Sequence, residues 1–506
     1  MTRLAFVLCA IGFGAVACKK TEKPTPWTPG IAYSTPTEPV YRNFVEVRGL
    51  IHAHNVHSWD ACDEKPILNG KLNAGCYSDF RGDLCESKLD FIFMSDHTSN
   101  FNTTEYPNNQ AAGTEPMDNT LEYDPTMGDQ LIVRNGNPVA NNVEISCGDH
   151  RRHLLMGGNE GDNLLTAGLE THVAPLDTAN PSDPGDLREA IYDAHTDQGT
   201  FPANVPQITQ AIQTDQAHGA VVMVAHPEDL TGPQLATYPL DGFEMYNIHA
   251  NTLFTTHGQE AVLSLIFNMQ VGGDLNKLPD NANTIFLGIF SEDPNYMTRW
   301  AYALSQPGVK RTMFMGSDIH ENAIPTIMST SIKPTFDNMR GDRYQRLMKW
   351  FSNHLLITPN ADGSWDDSNL KAALKAGRLF GVFEAFGYPI GFDYHATVGS
   401  TITEMGGDVD LSSNPVLSVK LPEVENLNKS EPAPVFTTRI LLADGENWDV
   451  MASGPGDVSF TPTKPGSYRA EVRVMPYHLT KELGPMAQTW LSHDYVWIYS
   501  NAVYVH

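Results

Sequence analysis

The residues of this chain able to do chemistry are mostly histidines and carboxylates, and they come in short groups. His52-Ala-His54 is followed by Ser58 and Asp60. Ser95-Asp96-His97, Glu144 with His153 beyond it, Ala225-His226-Pro227 and Asp318-Ile-His320 complete the set. Alternate residues of a strand point to one face, so His52 and His54 can reach a common point. A single His-x-His is weak evidence, and a satisfied strand-end histidine is its ordinary explanation. The combination says more, because imidazoles and carboxylates together are ligands for zinc, iron or manganese. The chain holds 18 histidines and 6 cysteines. No Cys-x2-Cys spacing occurs among them, which argues against a thiolate zinc site.

Apolar strands must position these groups. The pattern predicts strands over 44–51, 90–95, 143–146, 153–156, 219–225, 243–247 and 311–315. Helical spacing appears over 208–218, with further helical stretches at 260–268 and 300–304. Each polar group falls at or just past the carboxyl end of a predicted strand, the edge where parallel α/β folds build active sites. The alternation implies a parallel α/β domain of barrel type. Stretches 98–142 and 157–205 are rich in Asn, Gly, Asp and Pro and read as long loops. Beyond Gly391 the alternation changes to period two, in Val416–Leu421, Thr438–Leu442, Val458–Phe460, Tyr468–Val474 and Trp497–Val505. That part reads as a small β-sandwich.

The order H-x-H-x3-S-x-D, D-H, E with a later H, A-H-P and D-x-H resembles the polymerase and histidinol phosphatase (PHP) family over roughly residues 44–385. The resemblance implies a distorted (β/α)7 barrel and a metal-dependent phosphoesterase with three divalent ions, zinc, manganese or iron, at the carboxyl ends of the strands. Carried over, His52, His54, Glu144 and Asp318 would hold the first ion. Glu144 would bridge to a second, held also by His153 and His226. Asp60, His97 and His320 would hold the third. His150 rivals His153, which is preferred because Leu154-Leu-Met-Gly157 follows it, and His57 rivals Asp60. Asp96 and Glu244 are read as acceptors that orient ligands. His57, His172, His195, His218 and His249 are most simply surface or loop residues. Amidohydrolases also begin with His-x-His, but a glutamate in the bridging position and a histidine two residues after the last aspartate fit the PHP pattern.

The expected chemistry is hydrolysis of a small phosphomonoester or phosphodiester by metal-activated water, with Asp318 or His320 as the acid. Arg81, Arg151, Arg152 and Arg299 are available for a phosphate. The alternative is a non-catalytic metal-binding surface lipoprotein whose β-sandwich binds a glycan or protein, with Trp448, Trp490 and Trp497 as its candidate face.

The 506 residues exceed one ordinary compact core. With 60 acidic and 33 basic side chains the net charge is −27, which disfavours long nucleic acid. A small phosphate is still permitted, since a bound cation can override the global charge. Arg3 precedes an apolar run from Leu4 to Val16, shorter than the ~20 residues of a membrane-spanning helix. Ala15-Val-Ala-Cys18 resembles a lipobox, implying a signal peptide over 1–17, a lipid on Cys18 and a periplasmic or cell-surface location. Residues 18–40 read as a Pro- and Thr-rich tether, 41–390 as the PHP domain and 391–506 as the sandwich. Cys62, Cys76, Cys85 and Cys147 are then left to pair in an oxidising compartment, in any of three connectivities.

Overall fold

The computed structural model describes residues 25–37, 41–69, 71–97, 121–161, 164–171, 201–270, 275–322 and 341–506. The chain is mixed α/β, with one large mixed sheet and separate antiparallel sheets. Strand β1 (Val45–Ala53) lies parallel to β2 (Phe91–Met94). A hairpin of β3 (Gln130–Arg134) and β4 (Asn137–Asn142) leads to β5 (Leu154–Met156), which runs parallel to β2. A second hairpin, β6 (Gly158–Gly161) and β7 (Leu164–Ala167), meets the antiparallel β8 (Val221–Val224). Parallel pairing continues through β9 (Gly242–Asn247) to β10 (Thr312–Ile319), and β10 pairs in parallel with β1. A bridge between His97 and Glu160 and the bond from Glu160 N to Ser95 O (3.0 Å) join the end of β2 to β6.

These strands are apolar on both faces because both are covered. Ile51, Phe91, Phe93, Leu154, Met156, Val221 and Met223 belong to one buried cluster. Their alternates Leu50, Ile92, Met94, Leu155, Val222 and Val224 belong to another, packed with helices such as Val205–Ala217 and Pro294–Ser305. The predicted strands and helices therefore recur with small boundary changes. Two differences matter. Residues 143–146, read as a strand, form a short helix, Glu144–Cys147. The two hairpins lie inside stretches read as loops.

After β11 (Ser352–Ile357) and β12 (Leu379–Val382), the chain enters the strands expected past Gly391. A four-stranded antiparallel sheet includes Asp393–Val398 and Val416–Lys420. The longest strands, β13 (Val435–Asp444), β14 (Gly466–Met475) and β15 (Tyr495–Val505), join the large sheet, where β15 pairs with β12. Trp490 and Trp497 are buried, and Trp448 packs on Trp300 and donates its indole N–H to Met297 O.

Two disulfides form, Cys62–Cys76 and Cys85–Cys147, which points to an oxidising, extracellular environment. No helix among the described residues is long and apolar enough to cross a membrane. The predicted signal segment and Cys18 lie outside the described residues. Within the predicted tether, residues 25–37 lie against the body. Trp27 is buried and its N–H bonds Asn426 O, while Thr35 Oγ1 donates to Asp90 Oδ2.

Candidate metal centre

The side chains gather at the carboxyl edge of the strands, where local distortions aim them. Against β2, a register shift between Ile51 and Ala53 makes His52 an extra residue, with φ +69°. His226 (φ +50°) and Asp318 (φ +47°) also occupy the left-handed region, which costs energy for a residue with a Cβ and recurs at functional sites. Gly316 is required beside them, since a Cβ there would lie 1.7 Å from Glu244 Oε1.

Glu160 and Asp318 form the centre. Glu160 Oε2 lies 2.8 Å from His52 Nε2, 3.2 Å from His54 Nε2 and 3.5 Å from His97 Nε2, while Oε1 lies 3.4 Å from His226 Nε2. Asp318 Oδ1 faces His52, His54 and His320 at 3.3–3.5 Å. Its Oδ2 faces His226 at 3.3 Å and His249 at 2.8 Å. Asp60 Oδ2 lies 2.9 Å from His320 Nε2 and 3.5 Å from His97 Nε2. Three overlapping groups could each hold a cation: His54, Asp60, His97 and His320; His52, Glu160, His226 and Asp318; and His249, Asp318 and His320.

A ring of acceptors fixes the imidazoles from behind. Glu244 faces His52 Nδ1 and accepts from His226 N (2.9 Å). Glu228 faces His226 Nδ1 (3.1 Å), and Tyr296 hydroxyl donates to Glu228. Ser58 Oγ donates to Asp60 Oδ1 (2.7 Å) and accepts from His97 N (3.1 Å). Such carboxylate–imidazole pairs orient ligand histidines.

The electrostatics suit cations. Burial raises the cost of charge on Glu160, but His52, His97 and His54 outweigh it and hold the acid well below its usual range. Asp318 is shifted the same way, against its burial, by His249, His52 and His320. Burial, then the adjoining His320, His97 and His52, push His54 down to about 3, so it stays neutral and able to donate a lone pair. His320 Nε2 is buried and near Asp60, yet no acceptor lies in line for a hydrogen bond. An orphaned imidazole nitrogen among carboxylates fits a divalent cation, and the His/Asp/Glu donor set fits zinc, manganese or iron.

Seven expected ligands meet here: His52, His54, Asp60, His97, His226, Asp318 and His320. Glu144 and His153 do not, and the reason is strand direction. His153 precedes β5 as Asp90 precedes β2, and these strands are parallel, so His153 lies at the amino edge. Its Nδ1 bonds Leu89 O (2.6 Å) and its Nε2 faces Asp149 (3.1 Å). Glu144 lines a cavity of about 280 Å³ at that same edge, together with Val45, Asp90 and His150. Glu160, and not Glu144, lies among these imidazoles, and His249, read as a surface or loop residue, joins the cluster with its Nδ1 2.8 Å from Asp318 Oδ2. The signal for Glu160 was present: it follows the apolar strand Leu154–Met156, as the other ligands follow theirs.

The arginines lie elsewhere. Arg81 pairs with Asp129, Arg151 bonds Thr35 and Asp90, Arg152 lies over Trp365, and Arg299 bonds the carbonyls of Leu230 and Glu228. Comparison with family models, with curated proteins and with solved structures finds no match to this chain.

Proposed function

We propose that this protein is a metal-dependent hydrolase, most specifically a phosphoesterase of the PHP type acting on a small phosphomonoester or phosphodiester. The observation behind this reading is the pair Glu160 and Asp318, each turning two oxygens toward different imidazoles at one strand edge. The closed run of pairings β1–β2–β6–β7–β8–β9–β10–β1 supports a distorted barrel as the scaffold, with the strands past Gly391 as its sandwich-like companion.

Divalent cations, when bound, would supply an acidified water and neutralise a phosphoryl group. The chain's own residues divide the remaining work. Glu160, Asp318, Asp60 and five imidazoles (His52, His54, His97, His226, His320) would hold the cations. Glu244, Glu228 and Ser58 hold the ligands in place. Asp318 and His320, named above as acid candidates, are buried with Asp318 engaged on both oxygens, which favours a holding role. His249, with 35% of its side chain exposed, is better placed to give a proton to a leaving oxygen. Export and anchoring through Cys18 at a membrane face remain part of the proposal, and the disulfides support the export.

The test is hydrolysis of an aryl phosphate and of a bis-aryl phosphate by protein loaded with zinc or manganese. Chelator-sensitive turnover of either is expected. Bound metal with no turnover of any monoester or diester would overturn the reading in favour of a metal-stabilised scaffold.

A further inference from the structure

A second cluster lies beneath the first, made of His57, Asp96 and Glu122. Its donor atoms lie within 4.8 Å of one another, and all three residues are buried. His57 faces it with Nδ1, 2.6 Å from Glu122 Oε1. Asp96 Oδ1 accepts from Asn55 N (2.9 Å), which leaves Oδ2 buried with no partner. Glu122 Oε2 is likewise buried with no partner. The position of Glu122 is built. Its carbonyl accepts from Arg81 Nη1 (2.6 Å), Tyr77 hydroxyl (3.1 Å) and Asn141 Nδ2 (3.1 Å). Arg81 itself is committed to Asp129 in a two-pronged pair, so it does not reach the Glu122 carboxylate.

Two carboxylates and one imidazole thus share a buried site in which two oxygens have no hydrogen-bond partner among the described residues. Leaving buried carboxylate oxygens unpaired is costly, and a cation between them removes that cost. An imidazole beside two carboxylates favours a transition ion over calcium, which takes oxygens alone. We infer that His57, Asp96 and Glu122 form a separate structural site for one zinc-class divalent cation. It ties the segment after β1 to the end of β2 and to Glu122, and so fixes the loop that presents Asp60 and His97. This inference does not rest on the hydrolase reading.

The experiment counts metal per full-length chain by native mass spectrometry after zinc loading, with cobalt absorption spectra as a second readout. A Glu160→Gln/Asp318→Asn/Asp60→Asn chain removes a carboxylate from each of the three upper groups and is expected to retain one tightly held ion. Adding Glu122→Gln, or separately His57→Asn, is expected to remove that ion and its cobalt bands, with folding checked by near-ultraviolet circular dichroism. Retention of the ion in both folded quadruple variants would overturn the inference, as would its absence from the folded triple variant, where protons would satisfy the oxygens. If the wild-type chain binds a single ion and loses it with Glu122→Gln, this site stands and the upper centre falls.

Discussion

Glu160 and Asp318 are the two carboxylates at the centre of the cluster, each turning its two oxygens toward different imidazoles. Glu160→Gln keeps the shape and removes the charge. The expected result is loss of bound metal and a rate lower by ~10³-fold or more, several kcal/mol of lost charge stabilisation. Glu144→Gln and His153→Gln, at the opposite edge, are expected to leave metal content unchanged. Metal loss with Glu144→Gln and none with Glu160→Gln would reverse the assignment. Glu244→Gln should cost less, ~10–100-fold in metal affinity, as expected for a group that only orients ligands. The donors were readable in sequence because they follow apolar strands. Glu160 was not singled out because Gly158-Asn-Glu-Gly161 has the composition of a turn, and His249 because it sits in a helix, Ile248–Phe254, with no strand pattern of its own. One histidine elsewhere predicts a pH effect. His478 is buried, donates from Nε2 to Phe386 O (2.9 Å), and burial lowers its pKa to about 4. The unfolded chain binds that proton near ~6.5, so stability is full above this pH and declines as pH falls toward 4, by at most ~3 kcal/mol. Denaturant midpoints of wild type and His478→Gln from pH 7 to 4 should converge on the acid side. Parallel curves would remove His478 as the source.

At the level of elements, the seam between β2 and β6 places Glu160, and Gly158 makes the seam possible. A Cβ at Gly158 would lie 1.9 Å from Thr166 O and 2.8 Å from Met94 O, both backbone atoms that cannot rotate away. Gly158→Ala is therefore expected to push β6 off its neighbours and to lose metal, although Gly158 donates no ligand. Wild-type metal content in a folded Gly158→Ala chain would show that the seam does not position Glu160. The hairpin of β6 and β7 was not legible, since close backbone approach at Gly158 selects glycine, a residue that otherwise marks loops, whereas the hairpin of β3 and β4 carries a turn signal, Asn135-Gly136, inside a stretch whose composition reads as loop. Strands β2 and β8 were legible because burial on both faces leaves a continuous apolar run. The disulfides act on the same region. Cys85–Cys147 spans 62 residues and Cys62–Cys76 spans 14. Loop-closure entropy gives about 4 kcal/mol for the longer and about 3 for the shorter. Replacing each pair by serine should lower unfolding midpoints in that order.

At the scale of the whole molecule, the strands past Gly391 were expected as a sandwich of their own, and what they share with the rest decides whether they can part from it. Strand β15 pairs with β12 at Phe380, Gly381 and Val382. Asn501 accepts from Met313 N (2.8 Å) and donates to Met313 O (2.8 Å) and Leu379 O (3.0 Å), so one side chain replaces a missing ladder bond of β10. Ser467 Oγ donates to Leu304 O across the same boundary (2.8 Å). The strongest tie is Arg469, 1% exposed, with its guanidinium 4.6 Å from the Trp300 ring, 4.5 Å from Trp448 and 5.5 Å from Tyr499. Glu471 pairs with it at 2.9 Å. A desolvated cation–aromatic contact contributes ~2 kcal/mol, and here one cation meets several rings. Arg469→Met keeps the bulk and removes the charge, and is expected to lower stability by about 2–4 kcal/mol while leaving Glu471 buried beside Glu292. The broader consequence concerns the covalent link. A protease site placed between Ile390 and Gly391 should be cut without separating the two parts, since the sheet and the Arg469 cage hold them. The cleaved chain is expected to elute from gel filtration as one species and to part only in denaturant. Two species in native buffer would show that the parts fold independently, and the joint sheet would then be a docking surface instead of a common core.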